Sequence, residues 1–378
     1  MIQEILSYFN PSNHLELWLI LAFSIALIVS MSTFPAIFNI AEAKHLMDEP
    51  DERSMHTVKT PTLGGVGIYI SLVVVITTIG GFLDTKILLL ILGSLTILFF
   101  LGLKDDLLIL SPTKKLFGQF LAAALLIIFT DTRILGLSGL FGVTILPYWV
   151  SVLFTLFVYL LVINAYNLID GVDGLAGCLA LLGAGAFAFI SIKTNDITMA
   201  TISVSVVGAL IPFLRLNFSK DRKIFMGDTG SMIIGFLLAF FAVRFINQSQ
   251  INTDAIYLNC APVIVLAILF FPLLDTLRIF LIRLVILKKS PFSADNNHLH
   301  HKFLDLGFTH IQTTLYVVIL NTVLIAFAYT NKELDILFQF FLLSVIGILL
   351  YSILFIYNWM IVNGWLPKLL QTLKGYKL

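Results

Sequence analysis

The segment 164–177, NAYNLIDGVDGLAG, joins two long apolar runs and carries side chains that bind cations. If it stays helical, Asn164, Asn167 and Asp170 recur at i, i+3 and i+6 on one face, with Asp173 beyond them. Amide and carboxylate oxygens gathered in this way are typical ligands of Mg²⁺. A charge near hydrocarbon is costly unless it is paired, so the segment predicts a functional site. The alternative is a polar helix end that is capped by Asp and broken by Gly.

Two adjacent carboxylates, Asp105 and Asp106, end another apolar run, and Lys115 follows them closely. Adjacent carboxylates repel each other unless a cation lies between them. The pattern predicts a base or a metal pair. A solvated helix cap is the alternative for such a dipeptide.

A Gly-rich turn, FMGDTGS at residues 225–231, contains Asp228 and opens a further apolar run. Backbone N–H groups at a helix start and nearby cations bind phosphate, and Asp228 would ligate a metal held there. Phe225 is interpreted as a stacking partner for a base, with an interfacial anchor as the alternative. The turn predicts a site for a diphosphate with bound Mg²⁺. The basic residues that precede it are Arg215, Lys220, Arg222 and Lys223.

The sequence HLHH places His298, His300 and His301 within four positions. Zinc is disfavoured because neither cysteine nor a His-x-x-x-His spacing accompanies them. Contact of the imidazoles with phosphate or sugar is the favoured interpretation. His14, His45 and His310 are interpreted as incidental.

The first polar loop contains Arg53 and His56 and ends at Gly64 and Gly65, where an apolar run begins. Glycines at a helix start expose N–H groups that bind an anion. Packing of small residues between membrane helices explains the same glycines equally well. Both interpretations stay open at this point.

The composition requires these loops to be held by membrane helices. A chain of 378 residues that is 59% hydrophobic and 12% charged is not an ordinary soluble domain. At about 20 apolar residues per span, we predict one all-α domain, residues 1–378, with about eleven membrane helices. The predicted spans are 15–39, 63–83, 86–103, 115–130, 148–169, 174–192, 198–216, 230–247, 259–287, 311–329 and 336–362.

The basic residues predict the orientation of these spans. Cytoplasmic loops carry an excess of Lys and Arg. With the N-terminus outside and the C-terminus in the cytoplasm, the basic residues on the outer side are Lys86, Arg133, Lys193, Arg244 and Lys332. All other Lys and Arg then lie inside, as do the acidic motifs, so the active site is predicted at the cytoplasmic face.

This arrangement suits a reaction between a substrate in the bilayer and an anionic substrate from the cytoplasm. Phosphoryl transfer needs in-line positioning and neutralisation of charge by metal and cations. The rival class is a transporter or flippase for a nucleotide sugar or polyprenyl lipid. That class favours inverted repeats and broken helices at the midplane, whereas the charges here gather at one face and no repeat is visible.

The motifs together resemble the polyprenyl-phosphate N-acetylhexosamine-1-phosphate transferase family. Leu299 interrupts the histidine run, and about eleven spans are expected, which favours the branch that uses UDP-N-acetylglucosamine and undecaprenyl phosphate. The related phospho-N-acetylmuramoyl-pentapeptide transferases usually have ten spans and consecutive histidines. The matching motifs are Asp105-Asp106, Asn164-x-x-Asn167-x-x-Asp170-Gly-x-Asp173-Gly, Phe225-x-Gly-Asp228-x-Gly-Ser and His298-Leu-His300-His301.

The resemblance implies transfer of a sugar 1-phosphate from a UDP-N-acetylhexosamine to undecaprenyl phosphate, with release of UMP. It implies Mg²⁺ as cofactor, with Mn²⁺ as a substitute, and a multi-pass protein of the bacterial cytoplasmic membrane that works in an envelope glycan pathway such as that of O-antigen. A homodimer is one expected assembly, and no nucleic acid is expected as a partner. The sequence leaves open which sugar is transferred, and whether the lipid phosphate attacks directly or through an aspartyl intermediate.

The resemblance also implies roles for individual residues, among which Asp228 is the metal ligand. Asp105 is implied to activate the lipid phosphate. The residues implied in catalysis are Asp105, Asp106, Lys115, Asp170 and His298. The residues implied in substrate binding are Arg53, His56, Asn164, Asn167, Asp173, Phe225, His300 and His301.

Overall fold

The computed structural model describes residues 10–44, 46, 60–108, 110–251, 260–288 and 298–362, with side chains up to residue 356. The regular elements in these ranges are helices, which confirms the predicted all-α class. Arg53 and His56 lie outside the described residues, and their predicted roles stay predictions. So does the assignment of the whole chain to one domain.

The longer connections between helices include residues 44–63 and 131–147. Short 3₁₀ turns occupy Gly80–Phe82 and Leu140–Gly142, and a π-helical turn occupies Ile282–Ile286. The helices are α1 Leu15–Ala43, α2 Gly64–Ile79, α3 Thr85–Leu108, α4 Pro112–Thr130, α5 Tyr148–Leu168, α6 Leu175–Lys193, α7 Ile197–Asn217, α8 Gly227–Ile251, α9 Ala261–Ile268, α10 Phe270–Leu281, α11 Leu299–Asp305, α12 His310–Thr330 and α13 Ile336–Val362.

Within the described residues, ten helices are long and apolar enough to cross a membrane, and the bent pair α9–α10 raises the total to eleven. This confirms the predicted number of spans. The orientation with the N-terminus outside stays a prediction. The ninth predicted span, 259–287, differs from the prediction because it is not one straight helix: its two halves meet at 76°.

The break in the ninth span has an identifiable cause in Pro272. Proline has no N–H group, so the carbonyl of Ile268, four residues earlier, loses its helical donor. The buried side chain of Asn321 on α12 supplies the missing partners: its Nδ2 donates to the Ile268 carbonyl at 3.0 Å, and its Oδ1 accepts from the Phe271 N–H at 3.3 Å. Backbone groups freed inside a membrane need such a replacement. Asn321 therefore stabilises the bend.

Helix α8 is the centre of the bundle, and most of its side chains are buried inside the protein. Glycines allow neighbouring backbones to reach it. A Cβ added to Gly65 would lie 2.1 Å from the backbone nitrogen of Gly230, and one added to Gly102 would lie 2.4 Å from the Cα of Thr229. Both contacts are at the N-terminal end of α8. The N-terminus of α2 and the C-terminal end of α3 are thereby held against the turn that carries Asp228.

The N–H groups of Gly64 and Gly65 decide between the two interpretations of the glycines. They donate to the carbonyls of Phe225 and Met226, both at 2.9 Å, while the Phe225 N–H donates to the Pro61 carbonyl at 2.9 Å. These donors join the first polar loop to the loop before α8. The glycines therefore serve close packing, and their N–H groups are already used.

We expect Asn321→Ala to destabilise the protein by about 1–3 kcal/mol, because it leaves two buried backbone groups without partners. The measurement is thermal unfolding of the purified chain in detergent. Thr322→Ala is the matched control, since its exposed hydroxyl bonds within α12 to the Val318 carbonyl. Equal melting temperatures for the two variants would contradict the role given to Asn321.

Candidate active site

The turn that carries Asp228 begins with Gly227, whose φ is +72°. A side chain is strained in this left-handed conformation. A Cβ would also lie 2.2 Å from the Thr62 carbonyl oxygen and 2.8 Å from Asp106 Oδ1. Only glycine fits here, and it lets the chain enter α8 with Asp228 and Thr229 in the first turn.

Asp106 caps α8 from the neighbouring helix α3. Its Oδ1 accepts from the Asp228 N–H at 2.7 Å, and its Oδ2 accepts from the Thr229 N–H at 3.1 Å and the Thr229 hydroxyl at 2.6 Å. The N-terminus of a helix has N–H groups without intrahelical partners and a partial positive charge, and a carboxylate satisfies both. Asp106 therefore fixes the position of Asp228.

Asp105 points to a different partner from its neighbour in the sequence. It forms an ion pair with Lys115 and accepts from the Leu110 N–H. The same Lys115 Nζ lies 3.1 Å from Asp228 Oδ1. The two adjacent carboxylates therefore have different roles. Asp105 binds Lys115, which also contacts Asp228, while Asp106 caps α8.

The two asparagines of the 164–177 segment lie in different surroundings. Asn167 Nδ2 donates to Asp228 Oδ1 and to the Ser231 hydroxyl, the latter at 3.0 Å. Asn164 lies one helical turn earlier, where its Nδ2 donates to Gln119 Oε1 at 2.7 Å. The structure therefore brings Asn167 to Asp228, whereas the amide group of Asn164 contributes to packing between α5 and α4.

Asp170 lies just beyond the end of α5, in the turn that leads to α6. Burial and the nearby carboxylates of Asp228 and Asp106 raise the pKa of Asp170 well above its usual value. Asp105, Asp170 and Asp228 thus lie near one another at one end of the bundle. The carboxylate oxygens of Asp170 and Asp228, which come from two different elements, are hard oxygen ligands of the kind that Mg²⁺ prefers.

Asp173 belongs to a second group of contacts on the other side of the same turn. Its Oδ2 lies 2.6 Å from Lys223 Nζ and 3.2 Å from His310 Nδ1. Burial acts to raise the pKa of Asp173, but the contacts with His310 and Lys223 outweigh it and hold that pKa below its usual value. Lys223 Nζ also lies 5.2 Å from the ring centroid of Phe225, so these side chains form one cluster.

His310 is the residue of this cluster that sequence reasoning missed. It is the first residue of α12, directly after the N-cap Thr309, whose side chain accepts from the Gln312 N–H at 3.2 Å. Thr314, one turn later, donates its hydroxyl to the Asp173 carbonyl at 2.8 Å. The only signal in the sequence was the location of His310 at the polar end of a span.

His300 and His301 of the HLHH sequence lie against the turn that contains Asp170, and the ring of His298 is stacked on that of His300. A Cβ added to Gly171 would lie 3.2 Å from His300 Nε2 and 3.5 Å from His301 Cε1. His298 and His300 are buried. Burial, assisted by the neighbouring imidazoles of His300 and His298, lowers the pKa of His301 to about 4, so His301 is neutral at pH 7.

The basic residues before the turn separate into two groups. Lys223 contacts Asp173, whereas Arg215 and Arg222 are exposed and line a cavity between α1 and α7. That cavity is otherwise lined mainly by apolar side chains such as Phe34 and Pro212. Of the basic residues predicted to meet a diphosphate from this loop, the structure places Lys223 at the candidate site.

Comparison with known proteins agrees with this geometry. The sequence pattern of glycosyl transferase family 4 matches residues 88–246. A decaprenyl-phosphate N-acetylglucosaminephosphotransferase of Mycobacterium tuberculosis is 30% identical over 334 residues, which cover 82% of this chain and 82% of that protein. The chain belongs to glycosyl transferase family 4. The predicted resemblance is thereby confirmed.

Two further relatives of this family 4 chain are bacterial. A probable undecaprenyl-phosphate N-acetylglucosaminyl 1-phosphate transferase of Bacillus subtilis is 28% identical, over 87% of this chain and 89% of that protein. The undecaprenyl-phosphate alpha-N-acetylglucosaminyl 1-phosphate transferase of Escherichia coli is 28% identical, over 77% of this chain and 79% of that protein. With the apolar helices described above, the family 4 chain is a multi-pass protein of the bacterial inner membrane.

We expect opposite effects on stability from two substitutions in the pocket. Asp106→Asn exchanges an acceptor for an NH₂ group that faces donors, and should destabilise the protein by about 1–3 kcal/mol. Asp228→Asn removes one of several clustered negative charges, so its melting temperature should equal or exceed that of the wild type. Thermal unfolding in buffer with a metal chelator measures both. If Asp106→Asn were the more stable variant, the capping role of Asp106 would be wrong.

Proposed function

We propose that this chain transfers N-acetylglucosamine 1-phosphate from its UDP-sugar to a polyprenyl phosphate, undecaprenyl phosphate in the first instance. The observation that carries the proposal is the convergence of Asp105, Lys115, Asn167, Asp170 and Asp228 at one end of a membrane bundle. The names of the relatives support a transferase over the transporter alternative. The homodimer stays a prediction from the resemblance.

In this reaction an oxygen of the lipid phosphate attacks the phosphorus that bears the sugar. One P–O bond forms there, and the bond from that phosphorus to the bridging oxygen of the diphosphate breaks. UMP leaves with the bridging oxygen and its electron pair. We favour direct attack over an aspartyl intermediate, since positioned phosphates need no enzyme nucleophile.

The carboxylates described above would hold Mg²⁺ through Asp228 and Asp170, and Asn167, whose amide nitrogen contacts Asp228, would orient the Asp228 carboxylate. A bound Mg²⁺ neutralises charge on the diphosphate and polarises the phosphorus under attack. Lys115 adds a positive charge at the same place, because Asp105 and Asp228 hold its ammonium group between them. Asp105 itself is assigned to the acceptor phosphate. That phosphate would lie beside the ion pair that Asp105 forms with Lys115.

The cluster of Asp173, Lys223, Phe225 and His310 is assigned to the nucleotide end of the donor. It offers a carboxylate acceptor, a cation and an aromatic ring within one side of the turn. An aromatic face and a carboxylate suit stacking with a base and acceptance of its N–H group. His300 and His301 lie by Gly171, which follows Asp170 and precedes Asp173 in the chain, and this position supports their assignment to the diphosphate and sugar.

The direct test offers UDP-N-acetylglucosamine, undecaprenyl phosphate and Mg²⁺ to the purified chain, and reads the UMP released and the mass of the lipid product. Asp228→Asn and Asp105→Asn should lower the rate by on the order of 100-fold or more, as loss of a group that stabilises charge in the transition state does. Asp131→Asn, a change of an exposed carboxylate beyond the C-terminal end of α4, is the matched control.

A metal chelator should abolish the reaction, and Mg²⁺ or Mn²⁺ should restore it. Other UDP-N-acetylhexosamines and decaprenyl phosphate, offered in the same assay, identify the preferred sugar and lipid. Movement of a nucleotide sugar or polyprenyl lipid across vesicles without any UMP would refute the transferase and favour the transporter.

We expect His310→Ala to weaken binding of the UDP-sugar more than it slows the chemical step. It removes the Nδ1 atom that accepts from the Asp173 N–H and lies 3.2 Å from Asp173 Oδ2, and loss of a buried partner of this kind costs about 1–3 kcal/mol. The KM for the UDP-sugar should therefore rise about tenfold or more, with a smaller change in kcat. The exposed His14→Ala, at the opposite end of the bundle, is the control. A fall in kcat at constant KM would contradict this assignment.

A further inference from the structure

A buried carboxylate outside the pocket holds the HLHH residues in place. Asp275 lies on α10, beyond the bend of the ninth span, and is fully buried. Its Oδ1 accepts from the Leu299 N–H at 2.6 Å, and its Oδ2 lies 2.9 Å from His300 Nδ1 and 3.4 Å from His298 Nδ1. One carboxylate therefore ties the first turn of α11 to α10.

The contact with Asp275 determines how the His300 ring is used. A carboxylate accepts hydrogen bonds and does not donate them, so His300 carries a hydrogen on Nδ1. Nε2, at the far side of the ring, is buried, and among the described residues it has no hydrogen-bond partner. It points to the side of Gly171, next to Asp170. His300 thus has one nitrogen engaged by Asp275 and the other available to the pocket.

The other two histidines are held differently. The ring of His298 is stacked on that of His300, with centroids 5.3 Å apart and planes at 18°. Its Nδ1 is farther from Asp275 than that of His300, and has no hydrogen-bond partner among the described residues. The centroid of His301 lies 4.4 Å from that of His300. His300 is the one whose ring is fixed by a short hydrogen bond.

We infer that Asp275 is a positioning residue that acts through His300, and that His300 Nε2, more than His298, contacts the diphosphate of the donor during transfer. This inference rests on the proposed function and deepens it. It keeps the substrate contact that the family resemblance implies for His300, departs from the catalytic role implied for His298, and adds Asp275, for which the resemblance implied no role. The bend at Leu269 is what brings α10, and with it Asp275, to the histidines.

A metal ion held by Asp275, His298 and His300 is the competing explanation, since their ligand atoms lie within 4.8 Å of one another. The separation of 2.9 Å between His300 Nδ1 and Asp275 Oδ2 is that of a direct hydrogen bond. The other carboxylate oxygen is already used by the Leu299 N–H. These contacts favour a carboxylate–imidazole pair over a metal centre.

The test uses Asp275→Asn in the full-length purified chain. Asparagine keeps the volume, and its oxygen can still accept from the Leu299 N–H, but its NH₂ group then faces His300 Nδ1 and reverses the tautomer. We expect kcat to fall about 10–100-fold, as loss of partners that orient a functional histidine does, with a smaller change in KM for the UDP-sugar. Asp305→Asn changes an exposed carboxylate on α11, the short helix that carries His300, and should leave the activity unchanged.

A double-mutant cycle separates positioning from a merely structural role. If Asp275 acts through His300, Asp275→Asn should cost little or nothing once His300→Ala is present. In the His298→Ala background, Asp275→Asn should lower kcat as much as it does in the wild type. Losses that multiply in the Asp275→Asn/His300→Ala double variant would overturn the inference, and so would one zinc ion per wild-type chain that Asp275→Asn removes.

A second variant reaches the same ring from the opposite side and leaves Asp275 intact. The Cβ of Gly171→Ala would lie 3.2 Å from His300 Nε2, so it should lower kcat in the wild type and have no effect in His300→Ala. Gly185→Ala, where a Cβ meets no atom within 4 Å, is its control. Equal losses from Gly171→Ala with and without His300 would contradict the inference.

The two proposals fail in distinguishable ways. Absence of UMP formation by the wild-type chain with every UDP-sugar would reject the proposed function and this inference together. Formation of UMP by the wild type, combined with independent effects of Asp275 and His300, would reject the inference alone.

Discussion

Mutual repulsion among the carboxylates at the start of α8 is the constraint on which the rest of the structure depends. Two unit charges 4 Å apart interact by about 4 kcal/mol at the effective dielectric of a protein surface, and here Asp228 lies among Asp105, Asp106 and Asp170. The protein opposes this repulsion with specific partners. They are the Lys115 ammonium, the Asn167 amide and the N-terminal N–H groups of α8. The pKa of Asp170 is raised by burial and by the carboxylates of Asp228 and Asp106, and a divalent cation bound there would favour its charged form.

Close backbone packing is the means by which these partners are brought together. Four separate helices, α2, α3, α4 and α5, contribute to the surroundings of one short turn. Side chains of ordinary size between them would hold the acidic groups too far from Asp228. Gly65 and Gly102 remove that obstacle, because their backbones approach the first turn of α8 directly. The need for small residues between membrane helices and the need for a compact charged site are met by the same positions.

The broken span connects the membrane scaffold with the loop of histidines. A straight ninth helix would satisfy its own backbone, and the bend is tolerated because Asn321 replaces the partners that Pro272 removes. The second half of the span then carries Asp275 to the start of α11. The buried polar side chains of Asn321 and Asp275 are thereby explained by one local departure from helical geometry. The turn after α5 also serves two groups of residues. Asp170 lies near Asp228, whereas Asp173 contacts Lys223 and His310.

The sequence by itself determined the helical class, the approximate spans and the identity of the acidic and histidine motifs. Long apolar runs leave a backbone in lipid little choice but to form helices, and clustered charges at their ends are too costly to be accidental. Only the tertiary structure decided that Asp105 and Asp106 contact different partners, Lys115 and the N-terminus of α8. It also decided that Asn164 donates to Gln119. The contacts of His310 with Asp173 and of Asp275 with His300 likewise come from the tertiary structure. Spacing along a helix predicts which residues share a face, but it does not predict the turns where helices end. Nor does it predict partners that come from distant parts of the chain, because those are selected by packing.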